Sequence, residues 1–377
     1  MASKFEIRHD LIHLNHAAVA PWPCVTRNAV EAFARENATQ GSLHYPDWVK
    51  KEHHLRELLA QLIHARQVDD IALLKNTSEA LSVVAYGLSW QSGDNIVISD
   101  QEFPSNRIVW ESLEDQGVTV KQVNLASAST PEQALIEACD ERTRILAISS
   151  IQYATGLRIE LEVLGQFCRD HSILFCIDAI QSIGALELDV NAVHADFVMA
   201  DGHKWMLGPE GLALFYCHPT ARDTLRLHQF GWHMVEHYED FDRKDWQIAS
   251  SARRFECGSP NMLGIHALHA SISLLMTTGM LKIQQSVLAN SELLFSLIKN
   301  STNLECITDV SPGRYGGIVV FRHRRVPAAQ LYRHLMLNHV LCALRGGGVR
   351  FSPHYYTPTS QIHQAVELAD NCPLKEN

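Results

Sequence analysis

The sequence predicts an α/β fold: a large three-layer αβα domain with a mostly parallel sheet, followed by a smaller α+β domain. Short apolar segments alternate with helical patterns from Ile71 to about Cys217. The segments are apolar throughout their length, which is typical of strands covered by helices on both faces of a sheet. A polar, aromatic and irregular stretch at 221–258 then separates this alternation from a second group of helices and strands.

The elements of the large domain follow one another in a regular order. The predicted strands cover 71–74, 95–99, 118–123, 144–151, 173–177, 196–200 and 212–217. Helical patterns lie between several of them, at 78–89, 106–116 and 161–171. Strands that alternate with helices in this way favour a parallel sheet, in which ligands bind at the carboxyl ends of the strands.

The second group of elements begins with a long helix at 264–283, whose apolar stripe contains Ile265, Leu268, Ile272 and Leu275. A helix near 286–299, a strand near 317–321, a helix near 328–338 and a glycine-rich turn at 346–348 follow. We therefore predict a large domain at 20–258, and a small domain made of 1–19 and 259–377.

Composition excludes several classes of function. The 377 residues include 46% hydrophobic and 20% charged residues, with a net charge of −10 and no Lys/Arg-rich run, which argues against nucleic-acid or polybasic membrane binding. No apolar signal-peptide segment or membrane span is visible, and the nine cysteines lack paired short spacings. We therefore expect a cytoplasmic protein with reduced thiols. The 21 histidines are interpreted as surface and interface residues, and no metal site is predicted.

Four features follow predicted strands at the edge where ligands bind. Asp178 ends one apolar strand, and Lys204 follows the next strand through a glycine. Thr77 and Ser78 open a helix whose free amide groups suit a phosphate. Phe103 precedes a proline, and its ring could stack on a planar ligand. Each feature alone is ordinary, namely a structural acid, a loop lysine, a helix cap and a core aromatic residue.

Together the four features predict a pyridoxal phosphate site. A phosphate cradle, a stacking aromatic ring, an acid for the pyridinium nitrogen and a Schiff-base lysine are the parts that such a site needs. A lysine in a low-dielectric site has a lowered pKa, which suits it to bond an aldehyde and then to carry a proton at the substrate Cα.

These residues lie within motifs that resemble the class V aminotransferase family. Its members are fold-type I pyridoxal-phosphate enzymes such as cysteine desulfurases, selenocysteine lyases, kynureninases and isopenicillin N epimerase-like proteins. The similarity extends from about Asn15 to Arg350, and residues 200–204, which read ADGHK, match the family's lysine motif. The resemblance implies that Lys204 bonds the cofactor, that His203 contacts the phosphate, and that Asp178 pairs with the ring nitrogen.

Other matching residues extend the site. The resemblance implies that Gln181 contacts the ring oxygen, that Gln152 lies near the ring and substrate, and that Thr77 and Ser78 bind the phosphate. Ser259 resembles a residue that reaches the phosphate of a neighbouring subunit, which implies a homodimer with shared active sites. Arg350 matches the arginine that binds the substrate carboxylate, and His16 is a candidate for substrate selection, with the segments 44–46 and 231–234.

Three departures from the family pattern bear on the reaction. Phe103 stands where cysteine desulfurases usually have a histidine, and Cys342 lies in an apolar run where a buried structural thiol is expected. Asp201 replaces a hydroxyl that contacts the phosphate in related desulfurases, and we expect its carboxylate to point away. We therefore predict amino transfer or a related lyase or epimerase reaction at Cα or Cβ of a small amino acid. A cysteine desulfurase or selenocysteine lyase is the alternative, and a cofactor-binding regulator is a remote one.

Overall fold

A seven-stranded sheet forms the centre of the computed structural model, which describes residues 4–374. The strands of the described chain are β1 (Ile12–His13), β2 (Ile71–Leu74), β3 (Asn95–Ser99), β4 (Thr119–Val123), β5 (Thr143–Ser149), β6 (Leu174–Asp178), β7 (Phe197–Asp201), β8 (Ala213–Cys217), β9 (Leu304–Cys306), β10 (Val319–His323), β11 (Val340–Leu341), β12 (Ala343–Arg345) and β13 (Gly348–Phe351). The central order is β2-β8-β7-β6-β5-β3-β4, and β8 runs antiparallel to both of its neighbours. The other pairs are parallel, as the sequence predicts.

Helices cover both faces of this sheet. They are α1 (Cys24–Gln40), α2 (Tyr45–Leu62), α3 (Thr77–Gly87), α4 (Ser105–Glu111), α5 (Pro131–Ala138), α6 (Leu161–Asp170), α7 (Pro219–Arg222), α8 (Met262–Thr278), α9 (Met280–Asn300), α10 (Ala328–Leu337) and α11 (Thr359–Asp370). Residues such as Leu146 and Ile148 pack in one core, while Ile96 and Ile98 pack in a second core on the opposite face. Two cores on one sheet confirm the three-layer α/β architecture.

The strand predictions for the central sheet are confirmed to within two residues at each end. The single helix predicted at 264–283 is wrong, because α8 ends at Thr278 and α9 begins at Met280. Gly279 separates them with φ 89°, a left-handed conformation that glycine adopts without strain. The helices α1, α2 and α5 were not predicted.

The smaller unit has a separate core around a four-stranded antiparallel sheet with the order β12-β13-β10-β9. Ile12 and Leu14 belong to that core, since β1 pairs in parallel with β11. The amide of Ala20 in turn donates to the carbonyl of His203. The amino-terminal segment thus connects the small core to the loop that carries Lys204. The domain boundaries at 20–258 stay a prediction.

No helix within residues 4–374 is both long and apolar enough to cross a membrane. Cys168, Cys176, Cys217 and Cys342 are buried free thiols in the described part of the chain.

Candidate active site

A tight loop after β7 presents Lys204 at the carboxyl edge of the sheet. The amide of Gly202 donates to Leu212, and the amide of Gly208 donates back to the carbonyl of Gly202 at 2.8 Å. A Cβ at Gly208 would lie 2.5 Å from a methyl group of Leu268, so a larger residue there would require the Leu268 side chain of α8 to shift. The loop is therefore fixed by packing, which sets the position of the lysine.

The surroundings of Lys204 favour a reactive amine. Burial lowers the pKa of Lys204 to about 8, the carboxylates of Asp178 and Asp201 oppose that shift, and the guanidinium of Arg350 adds to it. The ammonium lies 5.6 Å from the centroid of the Phe103 ring. A lysine with a lowered pKa is a better nucleophile and proton carrier near neutral pH.

Asp178 and Gln181 lie at the end of the neighbouring strand. Burial raises the pKa of Asp178 to about 7, although the amide of Ile180 donates to its carboxylate at 3.0 Å and Lys204 lowers the value. A carboxylate this deeply buried is stabilised by a cationic partner. The Gln181 amide donates to the carbonyl of Ala17 and accepts from the indole of Trp205 at 3.0 Å, which leaves one amide hydrogen for a ligand.

Phe103 directly follows a buried acid that the sequence motifs do not single out. Its ring is 40% exposed and meets Tyr153 edge to face. The preceding residue, Glu102, is buried and accepts hydrogen bonds from five donors: the hydroxyls of Ser99 and Ser149, the amide nitrogen of Ser149 and the side-chain amides of Asn106 and Gln152. An acid three residues after an apolar strand was the available signal. Glu102 fixes the position of both Phe103 and Gln152.

The turn after β2 has the geometry of an anion site. Asn76 caps α3 by accepting from the amide of Glu79 at 2.8 Å, and the Glu79 carboxylate accepts from the amide of Lys75. The hydroxyl of Thr77 is buried without a partner, whereas Ser78 donates to the hydroxyl of Ser105. The Thr77 hydroxyl at this helix N-terminus is therefore available to a phosphate.

Asp201 does not point away from this turn, so that expectation is wrong. One of its carboxylate oxygens accepts from the amide of Thr77 at 3.5 Å, and the other lies 3.5 Å from Nδ1 of His203. As the last residue of β7, Asp201 directs its side chain toward the start of α3. The carboxylate thus shares the space that the phosphate is predicted to use.

Arg350 lies in β13 and is 3% exposed. It donates to the carbonyl of Tyr153 at 2.8 Å, its Nε atom is buried without a partner, and within residues 4–374 no carboxylate forms an ion pair with it. Burial lowers its pKa to about 10. A buried guanidinium without an acidic partner is suited to bind the carboxylate of a ligand.

The positions of three further predicted residues do not by themselves indicate a contact with the cofactor or the substrate. Gln152 is fully buried, and its carbonyl oxygen has no partner. His16 is also buried, with Nδ1 bonded to the carbonyl of Ser352 and Nε2 to the hydroxyl of Tyr356, so neither ring nitrogen is left for a substrate. Ser259 is exposed in the segment before α8. The roles of these residues stay predictions.

Cys342 is 2% exposed and packs in the core of the small unit. Burial raises its pKa to about 12, which keeps the thiol protonated at neutral pH. The next strand, β12, begins at the following residue, and the turn 346–348 lies beyond it. The expectation that Cys342 is buried is confirmed, and its structural role stays a prediction.

One group of potential metal ligands exists in the described chain, formed by Glu52, His233 and Glu256, whose ligand atoms lie within 4.8 Å of one another. Arg56 already donates to both carboxylates, at 2.5 Å to each. The guanidinium supplies the positive charge that a cation would otherwise bring. Through Glu256, the cluster connects Arg56 of α2 to the segment that contains His233.

The comparisons with known proteins agree with this geometry. Residues 12–356 match the family Aminotransferase class-V. A probable cysteine desulfurase of Methanothermobacter thermautotrophicus is 30% identical over 96% of this chain and 94% of its own length. The chain belongs to the class V aminotransferase family.

Other relatives of this class V chain carry different names. YcbU, an uncharacterized aminotransferase of Bacillus subtilis, is 25% identical and covers 85% of this chain and 83% of its own length. A solved complex of the cystine C-S lyase C-DES with cysteine persulfide superposes with a TM-score of 0.90 at 22% identity, covering 97% and 99% of the two chains. That likeness establishes the fold.

The protein is thus a pyridoxal-phosphate-dependent enzyme of the class V aminotransferase family. The residues present fit the cofactor. The Thr77 hydroxyl and Nδ1 of His203 are buried without partners, and Asp178 is a buried carboxylate with one amide donor. These groups complement a phosphate and a protonated ring nitrogen, respectively.

Proposed function

We propose that this enzyme acts at Cα or Cβ of a small amino acid by amino transfer or a lyase reaction, with Lys204 as the catalytic residue. The observation that carries the proposal is the position of Lys204. Its ammonium interacts with the buried carboxylate of Asp178 and lies over the ring of Phe103, while the guanidinium of Arg350 lowers its pKa. Bound pyridoxal phosphate supplies an electron sink for negative charge that develops at the substrate Cα. Lys204 takes the proton from that carbon and returns it.

The remaining residues hold and orient the cofactor in this proposal. Asp178 pairs with the ring nitrogen, Gln181 donates its free amide hydrogen to the ring oxygen, and Phe103 stacks on the ring. Gln152 lies beside the ring, held by Glu102. The phosphate ligands are Thr77, Ser78, His203 and, from a neighbouring subunit, Ser259.

Arg350 binds the substrate carboxylate in this proposal. Its guanidinium is buried and has free donors, so a carboxylate bound there is removed from water and held by charge-assisted hydrogen bonds. His16 contributes to substrate selection only through its packing, since it lies 6.1 Å from Trp205 between ring centroids and its nitrogens are bonded within the protein.

Transfer of sulfur through a protein cysteine is the weaker candidate. Several relatives are named cysteine desulfurases, but the thiol of Cys342 is buried and protonated. A β-elimination needs no such thiol, because the leaving group departs from Cβ into solution. A lyase acting on a sulfur- or selenium-containing amino acid is therefore compatible with this site.

Single amino acids incubated with the purified holoenzyme separate these reactions. Amino transfer converts the cofactor to its pyridoxamine form, and a keto acid reverses the change. Alanine, with sulfide released after reduction by an added thiol, indicates desulfuration, whereas pyruvate with ammonia indicates β-elimination. The Lys204→Ala variant is expected to lose the visible absorbance of the lysine-bound cofactor and all turnover, while Lys50→Ala, at an exposed lysine, retains both. Unchanged absorbance and turnover in Lys204→Ala contradict the proposal.

We also propose that the enzyme is a cytoplasmic homodimer. The exposed position of Ser259 supports a contact with a second copy, and the buried free thiols of Cys168, Cys176 and Cys217 support a reducing compartment. Light scattering of the purified holoenzyme, with a Ser259→Ala variant titrated with cofactor, tests the shared site. A monomer with full cofactor affinity contradicts it.

A further inference from the structure

Asp201 places a carboxylate where the cofactor phosphate is proposed to bind. It is 8% exposed and ends β7, the strand that leads into the loop of Lys204. One oxygen faces the amide of Thr77, the first residue of α3, at 3.5 Å, and the other lies 3.5 Å from Nδ1 of His203. The acid thus lies between two groups that the phosphate needs.

Three buried atoms converge at this position without hydrogen-bond partners. They are an oxygen of Asp201, Nδ1 of His203 and the hydroxyl oxygen of Thr77. Buried polar atoms are nearly always hydrogen-bonded in native proteins, so three unpartnered atoms around one helix N-terminus indicate a ligand-binding cradle. The unusual feature of this cradle is that one of its walls is an acid.

The other charged groups near the cradle do not cancel that acid. Asp178 adds a second negative charge. Lys204 contributes a positive charge, but its ammonium is lost when the lysine bonds to the cofactor. The positive charge of Arg350, which lies on the proposed substrate side, lowers the pKa of Lys204. The Glu79 carboxylate is held on the amide of Lys75, whose own side chain is exposed. The amides at the start of α3 and His203 are the remaining attractive groups.

A phosphate monoester loses its second proton near pH 6, so the free cofactor is mainly a dianion at neutral pH. A dianion and a carboxylate in one buried cradle repel each other strongly. One proton placed between them replaces repulsion with a hydrogen bond, and Nδ1 of His203 lies within reach of the same proton.

We propose that Asp201 makes cofactor binding proton-coupled: the phosphate is bound together with one proton from solvent, shared among phosphate, Asp201 and His203. This inference rests on the proposed function, because it takes the turn at Thr77 as the phosphate site. No covalent bond changes at the phosphate, and the proton is the only species gained. The cofactor affinity then falls by up to about tenfold per pH unit above the range where the free phosphate ionises.

The experiment uses the apoprotein and pyridoxal 5′-phosphate. Calorimetry in buffers of different ionisation enthalpy counts the protons taken up, and phosphorus NMR of the holoenzyme reports the ionisation of the bound phosphate. Wild type is compared with Asp201→Asn, which keeps the size, and with Asp201→Ser, which restores a hydroxyl. Because Asp201 also raises the pKa of Lys204, each protein is titrated in parallel with pyridoxine 5′-phosphate, which has no aldehyde to bond the lysine, so that proton changes caused by that bond are separated.

Wild type is expected to take up about one proton more than either variant, and its phosphorus signal is expected to move with pH between 6 and 8. The variants should show the signal of a dianion throughout, with weaker dependence of affinity on pH. Equal proton uptake in all three proteins, or a dianion signal in wild type, overturns the inference. If borohydride reduction fails to attach the cofactor to Lys204, the proposed function itself is at fault, and the two failures are thereby distinguished.

Discussion

Replacing Glu102 by glutamine tests whether this buried acid organises the ring-binding part of the site. The carboxylate accepts from five donors, and both oxygens receive at least one nitrogen donor whose position is fixed by the fold. In Glu102→Gln one oxygen becomes an amino group, which then faces another N–H. Each hydrogen bond to a charged group contributes roughly 1.5–3 kcal/mol, so the loss of one or two of them is expected to cost about 1.5–6 kcal/mol of unfolding free energy.

Urea unfolding of the apoprotein measures that cost, with Glu137→Gln as the control because Glu137 is exposed and bonds only to the neighbouring Gln133 on its helix. The control is expected to change stability by less than about 0.5 kcal/mol. Cofactor affinity should fall in Glu102→Gln as well, since Phe103 and Gln152 lose their common support. The argument is refuted if Glu102→Gln has the stability and the cofactor affinity of the control.

Three further changes test other parts of the site. Arg350→Lys is expected to raise the KM for amino-acid substrates at least tenfold, because a single ammonium cannot replace the paired donors of the guanidinium; an unchanged KM in steady-state assays rules out the carboxylate role. Cys342→Ala should retain turnover, with some loss of stability from the cavity it leaves in the core, and abolished turnover in a correctly folded variant would restore the sulfur-transfer mechanism. Burial lowers the pKa of His13 and of His354 to about 4. Because the unfolded chain binds these protons near pH 6.5, stability is fully present above that value and is lost as the pH falls toward 4. Together the two histidines contribute a loss of about 3 kcal/mol between pH 8 and pH 5.5. Protonation of Asp178, whose pKa in the folded chain is about 7, opposes that loss. Urea unfolding of wild type is therefore compared with His13→Gln and His354→Gln at both pH values, and variants that keep the full pH dependence of wild type would contradict the prediction.

The sequence predicts the central sheet well because its strands are short, apolar and separated by clear helical patterns. The positions of Asp178 and Lys204 follow from the same rule, since the carboxyl ends of neighbouring parallel strands meet at one edge. The break at Gly279 was missed, because one glycine within an apolar helical pattern does not reveal its φ. The role of Glu102 was also missed, as its partners come from residues 99, 106, 149 and 152, which only the folded chain brings together.

For Asp201, the sequence motif determines the position of the residue, whereas the surrounding fold determines the direction of its side chain. The motif correctly places residue 201 next to the loop of Lys204, but charge repulsion alone predicted that its carboxylate would turn away from the phosphate turn. β7 ends at this residue, and its side chain emerges from the sheet edge beside the first amide of α3, which attracts a carboxylate as readily as a phosphate. In the protein alone the carboxylate is therefore stabilised by the helix terminus. When the phosphate competes for the same amide, the charge of one partner has to be reduced, and a proton is the smallest change that achieves this.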